Sequence, residues 1–398
     1  MLSKPPNSSR IEPDPRAEAL VASYTRGAGN PYVRIAPPVL QLAEPFLDLG
    51  GEDIRRRMFL TTDPDGRELC LRPDLTIPVS CDYLASPQTG KPAGFCYLGP
   101  VFRHREGAMP EFLQVGIESF GRQDKAAADA EMLALALEAT KQYGVNAPEI
   151  RMGDFALFAA FIDALDLAPV WRRRLKKDFN RKASLAHDLD QLTLAPANGS
   201  KEYQGVLAAL NGSDPKAAHH LVTDLLSIAG IATVGGRSVA EIADRFLEQS
   251  AINAPTRLPR ETRALIERFL SLQGDPDEAA IELRKLAADA KITLDKSLGS
   301  ALDLFETRTG FLVARGIDVR AIKFSTGFGR HIDYYTGFVF ELHEPTKDLA
   351  RAQSPSRGAL VAGGRYDDLL ARLGAREQIP AVGFAAAIED LIACGSGS

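Results

Sequence analysis

Three short β-rich segments between Glu68 and Gly121 constrain the fold more than any other feature of this sequence. They run over 68–72, 94–103 and 112–120, and turns rich in proline, glycine and charge separate them. Neighbouring strands joined by short turns pair antiparallel, whereas parallel strands need a crossover segment, usually a helix. The sequence therefore predicts an α+β fold with a mainly antiparallel sheet flanked by helices.

Other patterns place the remaining elements. Apolar residues at helical spacing predict helices over 15–26 and 126–143, and Gly144 follows the second as its C′ residue. The sequence further predicts a strand at 32–35 and a short helix at 39–48. Later β-rich segments predict that the sheet is completed by strands at 319–325, 335–343, 359–362 and 381–384.

The order of these elements predicts a divided domain. A flexible leader is expected at 1–14, and a core domain is expected from 15–165 together with 300–398. Residues 166–299 read as a mostly helical insertion, broken by polar loops.

Composition narrows the functional class. The chain has 398 residues, of which 45% are hydrophobic and 25% charged, as in an ordinary soluble globular protein. Its net charge of -5 argues against a basic field that would hold nucleic acid. The longest apolar run, 381–388, is far shorter than the roughly 20 residues that span a bilayer, so no membrane association is expected. Four cysteines without C-x-x-C spacing indicate reduced thiols, a cytoplasmic location and no metal site.

The segment 112–120 is the first candidate for ligand binding. Its alternation places Gln114, Gly116 and Glu118 on one face of a strand. A glycine between two hydrogen-bonding side chains would let a small ligand lie close to the sheet. The alternative is a strand with one solvated polar face.

Three further segments carry clustered polar groups. Arg103 and Arg105 end a strand, where paired guanidiniums suit an anionic ligand, although exposed arginines at a turn are also common. The loop 329–337 combines Arg330 with Tyr334 and Tyr335, which could instead be packing residues. The segment 363–367, which contains Tyr366, lies between a strand and a helix, where backbone amides could face an anion.

Nucleophilic and metal chemistry find no support in the sequence. The six histidines lack H-x-x-x-H spacing and no G-x-S-x-G motif occurs, so no catalytic residue is assigned. The basic run 171–177 could touch RNA, but a solvated helix face is the simpler interpretation.

Taken in order, these segments resemble class II aminoacyl-tRNA synthetases, most closely the histidyl enzyme. Residues 32–46 resemble motif 1, the dimer-forming element of that family, and 102–121 resemble motif 2. Residues 71–76 resemble the loop that contacts the amino acid's ammonium group, and 330–337 and 363–367 resemble two histidine-specific segments.

The resemblance implies a histidine pocket. It would place Glu118 and Tyr335 on the imidazole, Asp74, Thr76 and Gln114 on the α-ammonium group, and Arg330 with Arg103 on the carboxylate. Tyr334 and Tyr366 complete the implied pocket. A zwitterion needs buried charges of both signs, each of them paired, and this set supplies them.

The nucleotide site departs from the synthetase pattern. Asp390 stands where motif 3 carries an arginine that meets the ATP phosphates, and Arg105 stands where motif 2 carries a glutamate. Only residues 392–398 follow motif 3, so no anticodon-binding domain is expected. We therefore expect productive ATP binding to be lost and no cofactor to be used.

A synthetase-like chain that keeps the amino-acid pocket but loses the ATP and anticodon functions resembles the regulatory subunits of ATP phosphoribosyltransferase. That resemblance implies a non-catalytic chain that senses L-histidine in the first step of histidine biosynthesis. It also implies a homodimer within a hetero-oligomer whose partner is a short-form catalytic subunit. The alternatives are a divergent histidyl-tRNA synthetase or amino-acid ligase, and a structural paralogue without a small ligand.

Overall fold

A computed structural model of the chain describes residues 14–26, 32–193, 233–234, 237–238, 258–294, 296–330, 332–345 and 358–395. The predicted leader, apart from Asp14, lies outside the described residues, as do His331 and most of the segment 194–257.

The described residues form two compact units, one of residues 1–160 with 269–398 and one of residues 161–268. The first unit contains helix Pro276–Asp289, which the sequence had assigned to the insertion. The insertion boundaries of 166–299 remain a prediction.

Helices occur along the whole described chain, and their bounds are α1 Pro15–Arg26, α2 Glu44–Leu49, α3 Gly51–Arg57, α4 Thr76–Ala85, α5 Lys125–Gln142, α6 Phe155–Ala164, α7 Pro169–Asp178, α8 Lys182–Thr193, α9 Arg260–Leu270, α10 Pro276–Asp289, α11 Lys296–Ala314, α12 Leu369–Arg372 and α13 Ile388–Gly395. Local chemistry explains several helix ends. Asp275 caps α10 by accepting from the backbone N–H groups of Asp277 and Glu278. Gly144, at φ 84°, follows α5 in a left-handed conformation that glycine adopts without strain.

The strands are β1 Val33–Arg34, β2 Leu40–Leu42, β3 Phe59–Thr62, β4 Glu68–Leu71, β5 Ala93–Phe102, β6 Glu111–Phe120, β7 Glu149–Asp154, β8 Thr233–Val234, β9 Arg237–Ser238, β10 Gln273–Gly274, β11 Ile322–Ser325, β12 Phe338–His343, β13 Val361–Arg365 and β14 Ala381–Ala387. Nine of them form the main sheet, in the order β1-β5-β6-β14-β13-β12-β7-β11-β10. Only the β1–β5 and β7–β11 pairs in this sheet are parallel. The predicted mainly antiparallel α+β architecture is therefore confirmed.

The centre of the main sheet joins distant parts of the chain. Strand β14, close to the carboxyl end, lies between β6 and β13 and pairs antiparallel with both. The prediction that later strands complete the sheet is confirmed. This pairing brings the Gln114–Glu118 face of β6 next to the segments after residue 330.

A smaller three-stranded sheet has the order β2-β4-β3. The sequence predicted a helix at 39–48, but 40–42 form strand β2 and the helix begins only at Glu44. Tertiary pairing with Leu69–Leu71 explains the difference, because a strand partner far along the chain overrides local helical spacing.

The second unit contains the basic run of α7. Trp171 and Leu175 are buried in this helix, whereas Arg173 and Lys177 are exposed. The helix is thus amphipathic, and the interpretation of its basic face as solvated rather than RNA-binding stays a prediction.

Candidate ligand-binding site

A cavity of about 1170 Å³ opens on the main sheet where β6, β13 and β14 meet the segment 71–76. All nine predicted site residues line it: Asp74, Thr76, Arg103, Gln114, Glu118, Arg330, Tyr334, Tyr335 and Tyr366. They come from four separate stretches of sequence, so the sheet topology is what brings them together.

Glu118 forms the floor of this cavity and is 1% exposed. Its Oε1 accepts hydrogen bonds from Thr76 Oγ1 at 2.7 Å and from Tyr97 OH at 3.0 Å, while Tyr366 OH donates to Oε2. Burial raises the pKa of Glu118 to about 8, and the three hydroxyl donors oppose that shift. Three hydroxyl groups thus fix the orientation of this carboxyl group, while its burial favours the protonated form.

Glycines make room for these side chains. A Cβ at Gly383 would lie 1.8 Å from Glu118 Oε2, and a Cβ at Gly116 would lie 2.4 Å from Tyr97 OH. The sequence interpretation of Gly116 as space for a ligand is wrong, because Tyr97 on the paired strand β5 fills that space. Tyr97 was missed by the sequence analysis, since its contact depends on the β5–β6 register.

The segment 73–76 presents a carboxylate to the cavity. Asp74 is 5% exposed, and its Oδ1 accepts from the N–H of Ile77 at 3.2 Å. Its Oδ2 is buried and has no hydrogen-bond partner among the described residues. Burial raises the pKa of Asp74, while the Arg103 guanidinium lowers it. A buried acceptor left open in this way is suited to a cationic donor from a ligand.

Gln114 ties the same segment to the sheet, because its Oε1 accepts from the N–H of Leu75 at 3.1 Å. Arg103 donates from Nε to the carbonyl of Pro73. The pKa of Arg103 is lowered by burial, and the charge of Asp74 offsets only part of that shift. The cavity lining therefore holds one positive and one negative group whose charges act on each other.

Arg330 and three tyrosines form another part of the cavity lining. Arg330 donates to Tyr335 OH at 2.7 Å and to Glu341 at 3.2 Å. Burial acts to lower the pKa of Arg330, but Tyr335 and Glu341 raise it above its usual value. The ring of Tyr334 lies 4.9 Å from that of Tyr335 and 5.6 Å from that of Tyr366. Glu341, on β12, is a second residue that the sequence analysis missed.

Arg105 and Asp390, the two positions of reversed charge, meet at the cavity. Their side chains form an ion pair at 3.6 Å. The Arg105 guanidinium also lies 4.1 Å above the ring of Phe112. Asp390 is therefore paired with Arg105 and is not an isolated negative charge at the cavity.

Gly363 and Gly364 do not form an anion-binding loop. Both lie inside strand β13 and pair with β12 and β14. A Cβ at Gly363 would lie 2.5 Å from the carbonyl oxygen of Gly383, so glycine here allows close strand packing. The contribution of this segment to the cavity is Tyr366.

Two kinds of feature are absent from the described part of the chain. No helix among these residues is long and apolar enough to cross a membrane. No group of three or more His, Cys, Asp or Glu side chains in the same part of the chain could hold a metal ion.

Comparisons with known proteins agree with this geometry. The family model described as histidyl-tRNA synthetase matches residues 15–246 and 219–391. The ATP phosphoribosyltransferase regulatory subunit of Brucella canis is 41% identical over 354 residues, which cover 87% of this chain and 89% of that protein. The chain belongs to this family of regulatory subunits. As a member it is histidyl-tRNA synthetase-like and non-catalytic, and it acts in histidine biosynthesis.

Solved structures share the fold of this regulatory-subunit family member. An ATP phosphoribosyltransferase regulatory subunit/histidyl-tRNA synthetase from Bacillus halodurans has a TM-score of 0.66 at 22% identity, covering 99% of this chain and 83% of that one. A histidine–tRNA ligase subunit from Alicyclobacillus acidocaldarius has a TM-score of 0.54 at 23% identity, covering 100% of this chain and 98% of that one. At these identities the likeness concerns the fold alone.

Proposed function

We propose that this chain binds L-histidine in the cavity on the main sheet and thereby regulates an ATP phosphoribosyltransferase catalytic subunit of the short form. The observation that carries the proposal is the buried Oδ2 of Asp74, which has no hydrogen-bond partner among the described residues and lies in a cavity that Arg103 and Glu118 also line. A free amino acid brings an ammonium and a carboxylate, and each of these needs a buried partner of opposite charge.

The individual contacts follow from the chemistry of each wall. Asp74 Oδ2 would accept from the ammonium group, with Thr76 and Gln114 beside it. Arg103 and Arg330 would donate hydrogen bonds to the carboxylate. Glu118 and Tyr335 would form hydrogen bonds with the imidazole. Tyr334 and Tyr366 supply aromatic surface around the ring.

Regulation by such a site is a matter of linkage. Histidine that binds one state of the complex better than another shifts the equilibrium of the partner by its difference in affinity, typically about 1–3 kcal/mol. No bond-making residue is needed in this chain.

Titration with histidine and two analogues tests the proposal. Isothermal titration calorimetry should detect L-histidine, much weaker binding of histamine, which lacks the carboxylate, and much weaker binding of imidazole propionate, which lacks the ammonium group. Equal affinity for all three would contradict recognition of the zwitterion. Absence of any histidine binding, alone or with the catalytic subunit, would favour a paralogue without a small ligand.

ATP provides the second arm of the experiment. By resemblance, Arg105 and Asp390 stand where a synthetase carries a glutamate and an arginine of its ATP site, so ATP should not stabilise the fold. A thermal shift with ATP, or release of pyrophosphate in the presence of histidine, would instead support the ligase alternative.

We further propose a homodimer formed through the small sheet and the segment before it. Leu40 and Leu42 of β2 are 48% and 51% exposed, and Val33 of β1 is 61% exposed. Leu40 and Leu42 pair with Leu71 and Leu69, so these four side chains share one face of the small sheet. Contiguous exposed apolar surface of this kind is typical of an interface.

A further inference from the structure

A cluster of buried charges lies outside the ligand cavity, and none of its members is among the residues that line the cavity. It consists of Arg308 on α11, Asp154 on β7, Asp129 on α5, Arg365 on β13 and Asp367, each at most 5% exposed. Burying this many charges is costly unless every group is paired and oriented, so their arrangement indicates a constraint on the surrounding backbone.

Arg365 is the member that bridges helix and sheet. It donates to Asp129 Oδ1 from Nε at 2.9 Å and from Nη2 at 2.6 Å. Its Nη1 donates to Asp367 Oδ1 at 2.9 Å. A planar guanidinium held on two sides has little rotational freedom, which fixes the chain on either side of residue 366.

The backbone around Arg365 connects both tyrosine segments of the cavity. The carbonyl of Arg365 accepts from the N–H of Thr336 at 2.8 Å, and the N–H of Asp367 donates to Thr336 Oγ1 at 2.9 Å. Tyr366 lies between these two anchor points, and Tyr335 directly precedes Thr336. Both cavity tyrosines are thus attached to the backbone that Arg365 holds.

We propose that Arg365 is a positioning residue for ligand binding, which acts through Tyr366 and Thr336 to hold the Tyr366 hydroxyl on Glu118 and the Tyr335 hydroxyl on Arg330. This inference takes its ligand, L-histidine, from the proposed function. Arg365 itself lies behind Tyr366 and is not among the residues that line the cavity.

Arg308 offers a matched control within the same cluster. It is 1% exposed, donates to Asp154 Oδ2 at 2.7 and 2.6 Å, and lies 3.5 Å from Asp129. Its guanidinium also lies 4.7 Å from the ring of Phe338 and 5.8 Å from that of Phe305. Arg308 therefore matches Arg365 in burial and charge but does not contact the backbone beside Tyr366.

The experiment compares Arg365→Lys with Arg308→Lys in the full chain. Calorimetric titration with L-histidine should show the dissociation constant rising about tenfold in Arg365→Lys and much less in Arg308→Lys. In a double-mutant cycle, Arg365→Lys and Tyr366→Phe should be non-additive by about 2- to 10-fold in the dissociation constant, because Arg365 acts through Tyr366 and its own effect is about tenfold. Arg308→Lys and Tyr366→Phe should be additive.

A readout without ligand separates the two proposals. In protein labelled with ¹³C-tyrosine, the Tyr366 resonance, assigned by its loss in Tyr366→Phe, should shift in Arg365→Lys and stay in place in Arg308→Lys. If wild type binds no histidine, the proposed function fails while this spectrum still tests the positioning role. Should Arg365→Lys not fold, Asp367→Asn, which removes the charge paired with Arg365, is expected to shift the same resonance. Equal losses of affinity in both lysine variants, or an unmoved resonance, would overturn the inference.

Discussion

Asp74 has one carboxylate oxygen bound within its own loop and one that is buried without a partner among the described residues. Burial raises the pKa of this group, so the folded chain holds it at a cost that a bound ammonium would offset. A neutral side chain here should therefore weaken binding without lowering the stability of the fold.

Replacing Asp74 by asparagine should weaken histidine binding by about tenfold to 150-fold, because a hydrogen bond to a charged group contributes about 1.5–3 kcal/mol. The unfolding free energy should not fall, since the amide oxygen can still accept from Ile77. Calorimetric titration and urea unfolding measure the two effects. Glu106→Gln, which changes an exposed carboxylate at the same cavity, is the matched control and should leave the affinity unchanged.

Glu118 makes stability depend on pH. Its pKa rises on folding from 4.5 to about 8, so the folded state favours the protonated form. The stability that protonated Glu118 contributes is fully present below its ordinary pKa of 4.5. It is lost as pH rises through the pKa of about 8 in the folded chain. The unfolding free energy should therefore fall between about pH 4.5 and 8 by up to about 1.4 kcal/mol per pH unit from this group.

Glu118→Gln should flatten that part of the pH profile, because the amide does not titrate. Urea unfolding of wild type and variant at a series of pH values measures the difference between the two curves. Parallel curves would show that Glu118 does not titrate in this range.

For single residues, the sequence predicted which side chains line the cavity but not which hydrogen bonds and packing contacts they form. Gln114 and Glu118 could be found from alternation, since period two places them on one face. Tyr97 and Glu341 could not, because each contacts the site only through strand pairing. Gly116 was assigned to the ligand for the same reason: nothing local shows that a tyrosine from the next strand fills its space.

Helix α11 contains an exposed glycine whose replacement should stabilise the fold. Gly310 lies within this helix and is exposed, and a Cβ added there would meet nothing within 4 Å. Gly310→Ala should raise the unfolding free energy by about 0.5–1 kcal/mol, because alanine loses less backbone freedom on folding. Thermal or urea unfolding measures the change.

Gly383→Ala is the contrasting substitution for that experiment. Its Cβ would lie 1.8 Å from Glu118 Oε2 and 2.4 Å from the carbonyl oxygen of Ile117, so it should destabilise the fold. A loss of stability in Gly310→Ala would contradict the reasoning from open space.

Most elements were predictable because their signals are local. Helix α1 matches its predicted bounds, and α5 begins one residue before and also ends one residue before its own. Of segment 39–48, predicted as a helix, residues 44–48 do form α2, whereas 40–42 form β2, which pairs with β4. Short segments of ambiguous spacing take the structure that their tertiary partners impose.

The small sheet has an exposed apolar face, which includes Leu40 and Leu42 and which a second copy of the chain would cover. The double variant Leu40→Glu/Leu42→Glu should shift the chain from dimer to monomer in sedimentation velocity, because two buried charges per subunit would face each other across the interface. Ile281→Glu on α10, where the wild-type side chain is 66% exposed, is the control and should leave the mass unchanged. A dimer that persists in the double variant would place the interface elsewhere.

What the sequence determined by itself was the fold class, the family and the set of polar side chains around one cavity. These follow from spacing within single segments and from motifs whose residues lie close together in the chain. Only the tertiary structure decided how the charges are used: Arg105 pairs with Asp390, Tyr97 fills the space over Gly116, and Arg365 ties α5 to the backbone beside Tyr366. Such contacts join residues far apart in sequence, and their distances exist only once the sheet order and register are set.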